Sequence, residues 1–246
     1  MNLQTLKQQL LTQQPPWGNQ KILGEMDFSI PIQTVQVTYY PICSSKMDIL
    51  MKMMLIAFER GNFQTVETLA PILLVEPLFL NDLAKKMEQA QLIQKNETIQ
   101  ITEKGRKQLQ DGLFEEEQAV EQQAVQFSLF HQQFVKGDLD AVFDIDDFPE
   151  LLMFPFEEQQ SYTSEQVCNA VERQEEWSAL RVADTEIVQT TDIPCLQFVV
   201  DNDQQQAICV YVFNVLTNTW DQQLAEWLVQ KNQDIWQEKY RKKAND

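Results

Sequence analysis

A chain of 246 residues with 43% apolar side chains is long enough for one large core or two modest ones, which excludes wholesale disorder. Its formal net charge of −18 opposes long-range attraction to nucleic acid. No run of about 18 apolar residues occurs, so no spanning helix is expected, and the start lacks the basic-then-apolar pattern of an export leader.

The charge is unevenly spread. Residues 1–42 balance; residues 43–110 carry nine basic and eight acidic side chains, and residues 111–246 carry eight basic and 27 acidic ones. The second half therefore holds the excess, which fits either simple solubility, a basic partner or a DNA-like surface. Cys43, Cys168, Cys195 and Cys209 are scattered with no CxxC, and they read as free thiols of a cytoplasmic protein.

In chain order, residues 2–14 form a short amphipathic helix through Leu3, Leu6, Leu10 and Leu11, stopped by Pro15-Pro16. Two strands follow, near 21–30 and 32–40; in the second, Val35, Val37 and Tyr39 alternate with polar positions. Ser45 and Asp48 approximate a capping box for a helix with Ile49, Leu50, Met53, Met54, Ala57 and Phe58 on one face, ending at Gly61. The stretch 111–126 reads as an acidic, Gln-rich linker or solvated helix. Residues 127–134 read as helical, 136–156 mostly as loop, and Ser164 as the cap of a helix to about Leu180. Cys195–Val200 and Ala207–Leu216 flank a polar turn and predict a hairpin. Thr219 then caps a final helix carrying Trp220, Leu224, Trp227, Leu228 and Ile235.

The richest segment is 63–110. Leu69-Ala70, Leu73 and Val75 are followed by the stripe Leu80, Ala84 and Met87. Then come Ala90-Gln91-Leu92-Ile93, Ile99, Ile101, Thr102, Lys104, Gly105 and Arg106. This run resembles the helix-turn-helix and wing of bacterial MarR/ArsR-type regulators. The resemblance implies a winged-helix domain that places its third helix in a DNA major groove. Glycines of that pattern are replaced here by Leu74 and Gln91, so both turns must avoid positive φ or accept strain.

Groove-facing positions of the third helix would be Leu78, Phe79, Asn81, Asp82 and Leu83. Only Asn81 offers good base-reading chemistry. Leu78, Phe79 and Leu83 instead predict an apolar contact surface, with Asp82 beside it. The acidic segment holding Asp138, Asp140, Asp144, Asp146 and Asp147 is the second candidate surface for a protein partner. Under the DNA reading, Asn81, Lys85, Lys86, Lys95, Lys104, Arg106 and Lys107 would supply the contacts, and the protein would act as a dimer.

Enzyme chemistry finds little footing. His131 is the single histidine, which removes HExxH and His-based zinc sites; no GxSxG elbow accompanies it, and six glycines offer no phosphate-binding loop. No cofactor and no metal site are expected. The expected architecture is α+β. It has an N-terminal helix and strand extension (1–42), a winged-helix domain (43–110), an acidic linker (111–126) and a small acidic α+β domain (127–246) with a β-hairpin and C-terminal helix. The expected function is a non-catalytic, cytoplasmic bacterial protein-interaction module. Fold and charge are also loosely similar to the acidic winged-helix subunits that accompany bacterial condensin-like ATPases. That likeness implies an accessory place in a nucleic-acid-handling complex.

Overall fold

A computed structural model describes residues 3–13, 15–137, 139–143, 149–154, 162–202 and 207–241. Helices and strands are mixed, as expected for an α+β chain. Two compact units form, and neither is continuous in sequence. One takes Met1–Val37, Gln122–Val171 and Asp184–Asp246; the other takes Thr38–Glu121 and Glu172–Ala183. The consecutive boundaries read from composition differ from this because strand pairing joins segments that are far apart in the chain.

After α1 (Leu3–Thr12), one 26-residue strand, β1 (Lys21–Lys46), replaces the two expected strands and runs through Pro31 and Pro41. Both prolines are tolerated for the same reason. The Pro41 carbonyl accepts from the Gln118 N–H at 2.8 Å and the Pro31 carbonyl from the Leu129 N–H at 3.4 Å. Each contact lies just past the end of a partner strand. A strand residue's N–H and C=O point to one side, so each missing donor falls where the ladder has already ended.

The second unit holds the run of helices. Asp48 caps α2 (Ile49–Arg60), its carboxylate accepting from the Leu50 N–H at 2.7 Å and the Met51 N–H at 3.4 Å. The expected cap, Ser45, lies instead in β1, because the strand extends to Lys46. A 3-10 turn (Val66–Leu69) leads into α3 (Ala70–Leu73), then α4 (Pro77–Gln89). The hairpin β2 (Ile93–Lys95) and β3 (Ile99–Ile101) follows, then α5 (Glu103–Asp111). Met54, Leu55, Leu69, Leu80, Ala84, Met87, Leu92 and Ile99 form the core of this unit.

Thr102 explains the Thr-x-Lys-Gly-Arg run. Its hydroxyl donates to the Gln91 carbonyl at 2.6 Å and accepts from the Gly105 N–H at 3.0 Å, joining the end of β3 to the turn after α4. Gly105 is required because a Cβ there would collide with the Leu92 carbonyl. Gly112 then ends α5 at φ 71°.

Beyond α5 several expectations change. The segment read as linker or helix is two strands, β4 (Leu113–Glu117) and β5 (Glu121–Ser128). β4 pairs antiparallel with Ile42–Lys46 of β1. In β5, Val125 and Phe127 point inward at every second position, a two-residue period that acidic and Gln-rich composition hides. The expected helix at 127–134 is the end of β5, a turn, and β6 (Gln133–Val135). After α6 (Leu139–Phe143), α7 (Ser164–Ala170) starts from a Thr163/Gln166 capping box rather than from Ser164, and it ends ten residues short of Leu180.

The chain then enters β7 (Trp177–Asn202), which pairs with β8 (Ala207–Asn214) through the expected hairpin. β9 (Thr219–Trp220) closes against Phe213 and Asn214, so Thr219 lies in a strand and Asp221 caps α8 (Gln222–Trp236). Ile235, expected on the buried stripe, is exposed, and Trp236 is buried in its place. In the first unit the strand order is β6-β5-β1-β7-β8-β9. Its core gathers Phe28, Ile30 and Ile32 with Phe198, Val212, Leu224 and Leu228, and Trp17 packs against Phe198 and Tyr211 at 4.9 and 5.2 Å.

Candidate interaction site

The turn between α3 and α4 positions the candidate surface. Leu73 and Val75 are half-buried against the core. Between them Leu74 takes φ 56° and ψ 40°, and its side chain is 90% exposed. Pro77 restarts the helix, Leu80 turns inward, and Leu78 and Phe79 stand outward at 73% and 59% exposure. Ile72 is exposed as well. Leaving one such side chain in water forgoes roughly 1.5–3 kcal/mol of burial. A left-handed leucine costs about 1–2 kcal/mol more. Leu74 and Ile72 are absent from the surface read from sequence, although Leu74 stands out there as a missing glycine. Leu83 is half-buried and packs on the core.

The patch is flanked by acids. Glu67, Glu76 and Asp82 are exposed around the α3–α4 turn. The Asn81 amide donates to Glu67 at 2.7 Å and to the Pro77 carbonyl at 3.1 Å. The Asn81 bond is the main reason the Glu67 carboxyl lies below the usual glutamate range.

The cations of the DNA reading are distributed as follows. Lys85 pairs with Asp82 at 3.7 Å, and Lys86 pairs with Glu116 at 3.2 Å and lies over the Phe114 ring. Lys95 reaches Glu88 at 4.0 Å, and Arg106 reaches Glu103 at 3.1 Å and Glu59 at 3.9 Å. Lys104 and Lys107 have no ion pair among the described residues. Lys104 does line a polar cavity of about 510 Å³ with Lys86, Arg181, Glu116 and Glu117. There Arg181 forms a bidentate pair with Glu117 at 2.8 and 2.9 Å, and its guanidinium lies over Tyr40. That bond is the chief cause of the lowered Glu117 pKa. Arg181 and the β4 acids are invisible to local sequence reading, since they meet only through the pairing of distant segments.

Of the acidic segment, Asp138, Asp144, Asp146 and Asp147 lie outside the described residues. Asp140 is exposed on α6, in the other compact unit from Leu78 and Phe79.

His131 is not on a helix. It sits in the turn after β5, where Nδ1 meets the Ser128 hydroxyl at 2.7 Å and Nε2 meets the Asp221 carboxylate at 3.0 Å. Asp221 also accepts from Asn214 and from the Leu224 N–H. Burial raises its pKa, but the His131, Leu224 and Asn214 bonds outweigh that and hold the carboxyl below the usual aspartate range. The three side chains have the composition of a hydrolytic triad. Ser128, however, has no exposed surface, so its hydroxyl is closed to a substrate. The network ties the β5–β6 turn to the start of α8.

Among the described residues, no helix is long and apolar enough to cross a membrane. No protein family, curated protein or solved structure matches the chain.

Proposed function

We propose that the segment from α2 to α5 is a winged helix that serves as a protein-docking module, and that the chain is non-catalytic. One observation carries the reading. Leu74, Leu78 and Phe79 stand exposed on the turn that a DNA-binding relative would present to the groove, with Leu74 held in left-handed backbone. Strain and exposed apolar surface in one place are the usual marks of a contact site. Glu76 beside the patch, in no ion pair among the described residues, matches a partner with an apolar anchor next to a basic side chain. A basic protein of a nucleic-acid-handling complex in the cytoplasm fits that description.

The alternative, a dimeric DNA-binding regulator, is weakened by the pairing of Asn81, Lys85, Lys86, Lys95 and Arg106 with carboxylates. Displacing those acids adds to the cost of every phosphate contact.

The test compares proteins retained from a lysate of the source cell by three immobilised full-length chains. These are the wild type, Leu78→Asp/Phe79→Asp, and Lys85→Ala/Lys86→Ala/Arg106→Ala. The reading expects a partner that the first and third retain and the second loses. A retained set insensitive to Leu78 and Phe79 contradicts it.

A further inference from the structure

We infer that the open edge of β8 is a strand-addition site for an extended peptide carrying basic side chains, a surface separate from the α3–α4 turn. Two hydrogen bonds fix which way β8 faces. The Val215 N–H donates to the Pro194 carbonyl on the β7 side at 3.2 Å. The Val212 carbonyl accepts from the Asp221 N–H on the opposite side at 2.7 Å. The β7–β8 register is unbroken from Asn214 to Ala207, so the alternation holds along the strand. Odd-numbered residues address β7; Ile208, Val210 and Val212 address the other side.

β9 covers only Phe213 and Asn214 on that side. Beyond the Val212–Asp221 bond, the outward N–H and C=O groups of Ile208 and Val210 take no hydrogen bond among the described residues. They form the floor of a groove of about 680 Å³, walled by α8 on one flank and Pro16 on the other. Both faces of the strand line it, Tyr211 as well as Val210, as expected of a cavity on a sheet edge. An edge sunk between walls admits a lone strand more readily than the sheet edge of a second globule.

The lining defines the peptide. Ala225 and Val229, one helical turn apart on α8, offer an apolar surface, and Glu226, which accepts from Gln222 at 2.7 Å, is the charged group among the described lining residues besides the His131-bound Asp221. A bound strand would pair its backbone with Ile208 and Val210. Alternate side chains would point to α8 and to the Pro16 and Tyr211 flank. The first would be Lys or Arg, with its stem along Ala225 and Val229 and its head at Glu226, and the second would be apolar.

The full-length chain is panned with a displayed library of short random peptides, with counter-selection on Val210→Pro. This substitution removes one outward-facing N–H and leaves the β7 ladder intact, the position at which an edge strand tolerates proline. Enriched peptides should alternate apolar and basic residues and should weaken on Glu226→Lys. N-methylation of alternate peptide amides should weaken binding to the wild type by about tenfold or more, since each lost hydrogen bond is worth about 1 kcal/mol. That measurement needs no variant to fold. No enrichment, or equal binding of the N-methylated peptides, would overturn the proposal. So would a homodimer that Val210→Pro dissolves, which would assign the edge to a second copy.

Discussion

The Asn81 side-chain amide donates to the Glu67 carboxylate at 2.7 Å, tying α4 back to the 3-10 turn before it. The one residue suited to reading a base edge among the expected groove-facing positions 78–83 is thereby hydrogen-bonded within the chain. With Lys85, Lys86, Lys95 and Arg106 also paired to carboxylates, mixed-sequence duplex DNA should show no salt-sensitive binding in fluorescence anisotropy at low ionic strength. Affinity that falls steeply with added salt would restore the regulator reading.

Leu74 and Gln91 both occupy left-handed backbone, at φ 56° and 59°. Replacing either by glycine relieves about 1 kcal/mol of strain, partly offset by glycine's greater unfolded-state freedom. Gln91→Gly should therefore raise the unfolding free energy by roughly 0.5 kcal/mol in urea titrations. Leu74→Gly should do the same while weakening partner binding. A leucine that could be replaced with a gain in stability and no loss of binding would have no functional reason to be there.

Gly105→Ala should behave oppositely. Its new methyl would meet the Leu92 carbonyl, in the place where Thr102 joins the hairpin to α4. A loss of about 1–3 kcal/mol is expected, the range for overpacking a tight contact. Unchanged stability would mean that this turn is looser than described.

Asp221 gives a pH dependence of known sign. Its carboxyl is held below the usual aspartate range, so its contribution is complete above that range. The contribution is lost as pH falls through the depressed folded-state value. Asp221→Asn should cost about 1–3 kcal/mol at neutral pH, because His131 and the Leu224 N–H lose a charged acceptor. The difference between variant and wild type should shrink below about pH 4. A difference independent of pH would place the effect in packing instead.

Where apolar spacing was strong, the sequence was legible. Leu80, Ala84 and Met87 are buried, as the family resemblance of that stripe implies, and the Cys195–Val200 and Ala207–Leu216 hairpin forms. Composition misled where polar strands lie in a sheet. Glu115, Glu116 and Glu117 read as linker or solvated helix, yet they sit in β4 because Ile42–Lys46, far away in sequence, provides the ladder. Trp177 to Leu180, read as the end of a helix, lies in β7, where Ser178 donates to the Ile42 carbonyl and Arg181 to Glu117. At the candidate surface, Leu78 and Phe79 were readable as apolar residues on a polar face. Leu74 became part of it only once its backbone placed it outward. Leu83, also expected on that surface, is half-buried and packs on the core, since it follows Leu80 by three residues and shares part of its face.

The central claim is that the α3–α4 turn touches protein rather than DNA. The most direct test replaces Phe79 by a photo-crosslinking amino acid in the full-length chain within its source cell, with Lys107 replaced in a control. Illumination should yield a covalent protein adduct from position 79 that is absent from position 107. An adduct to nucleic acid at position 79, or none with protein, would contradict the account.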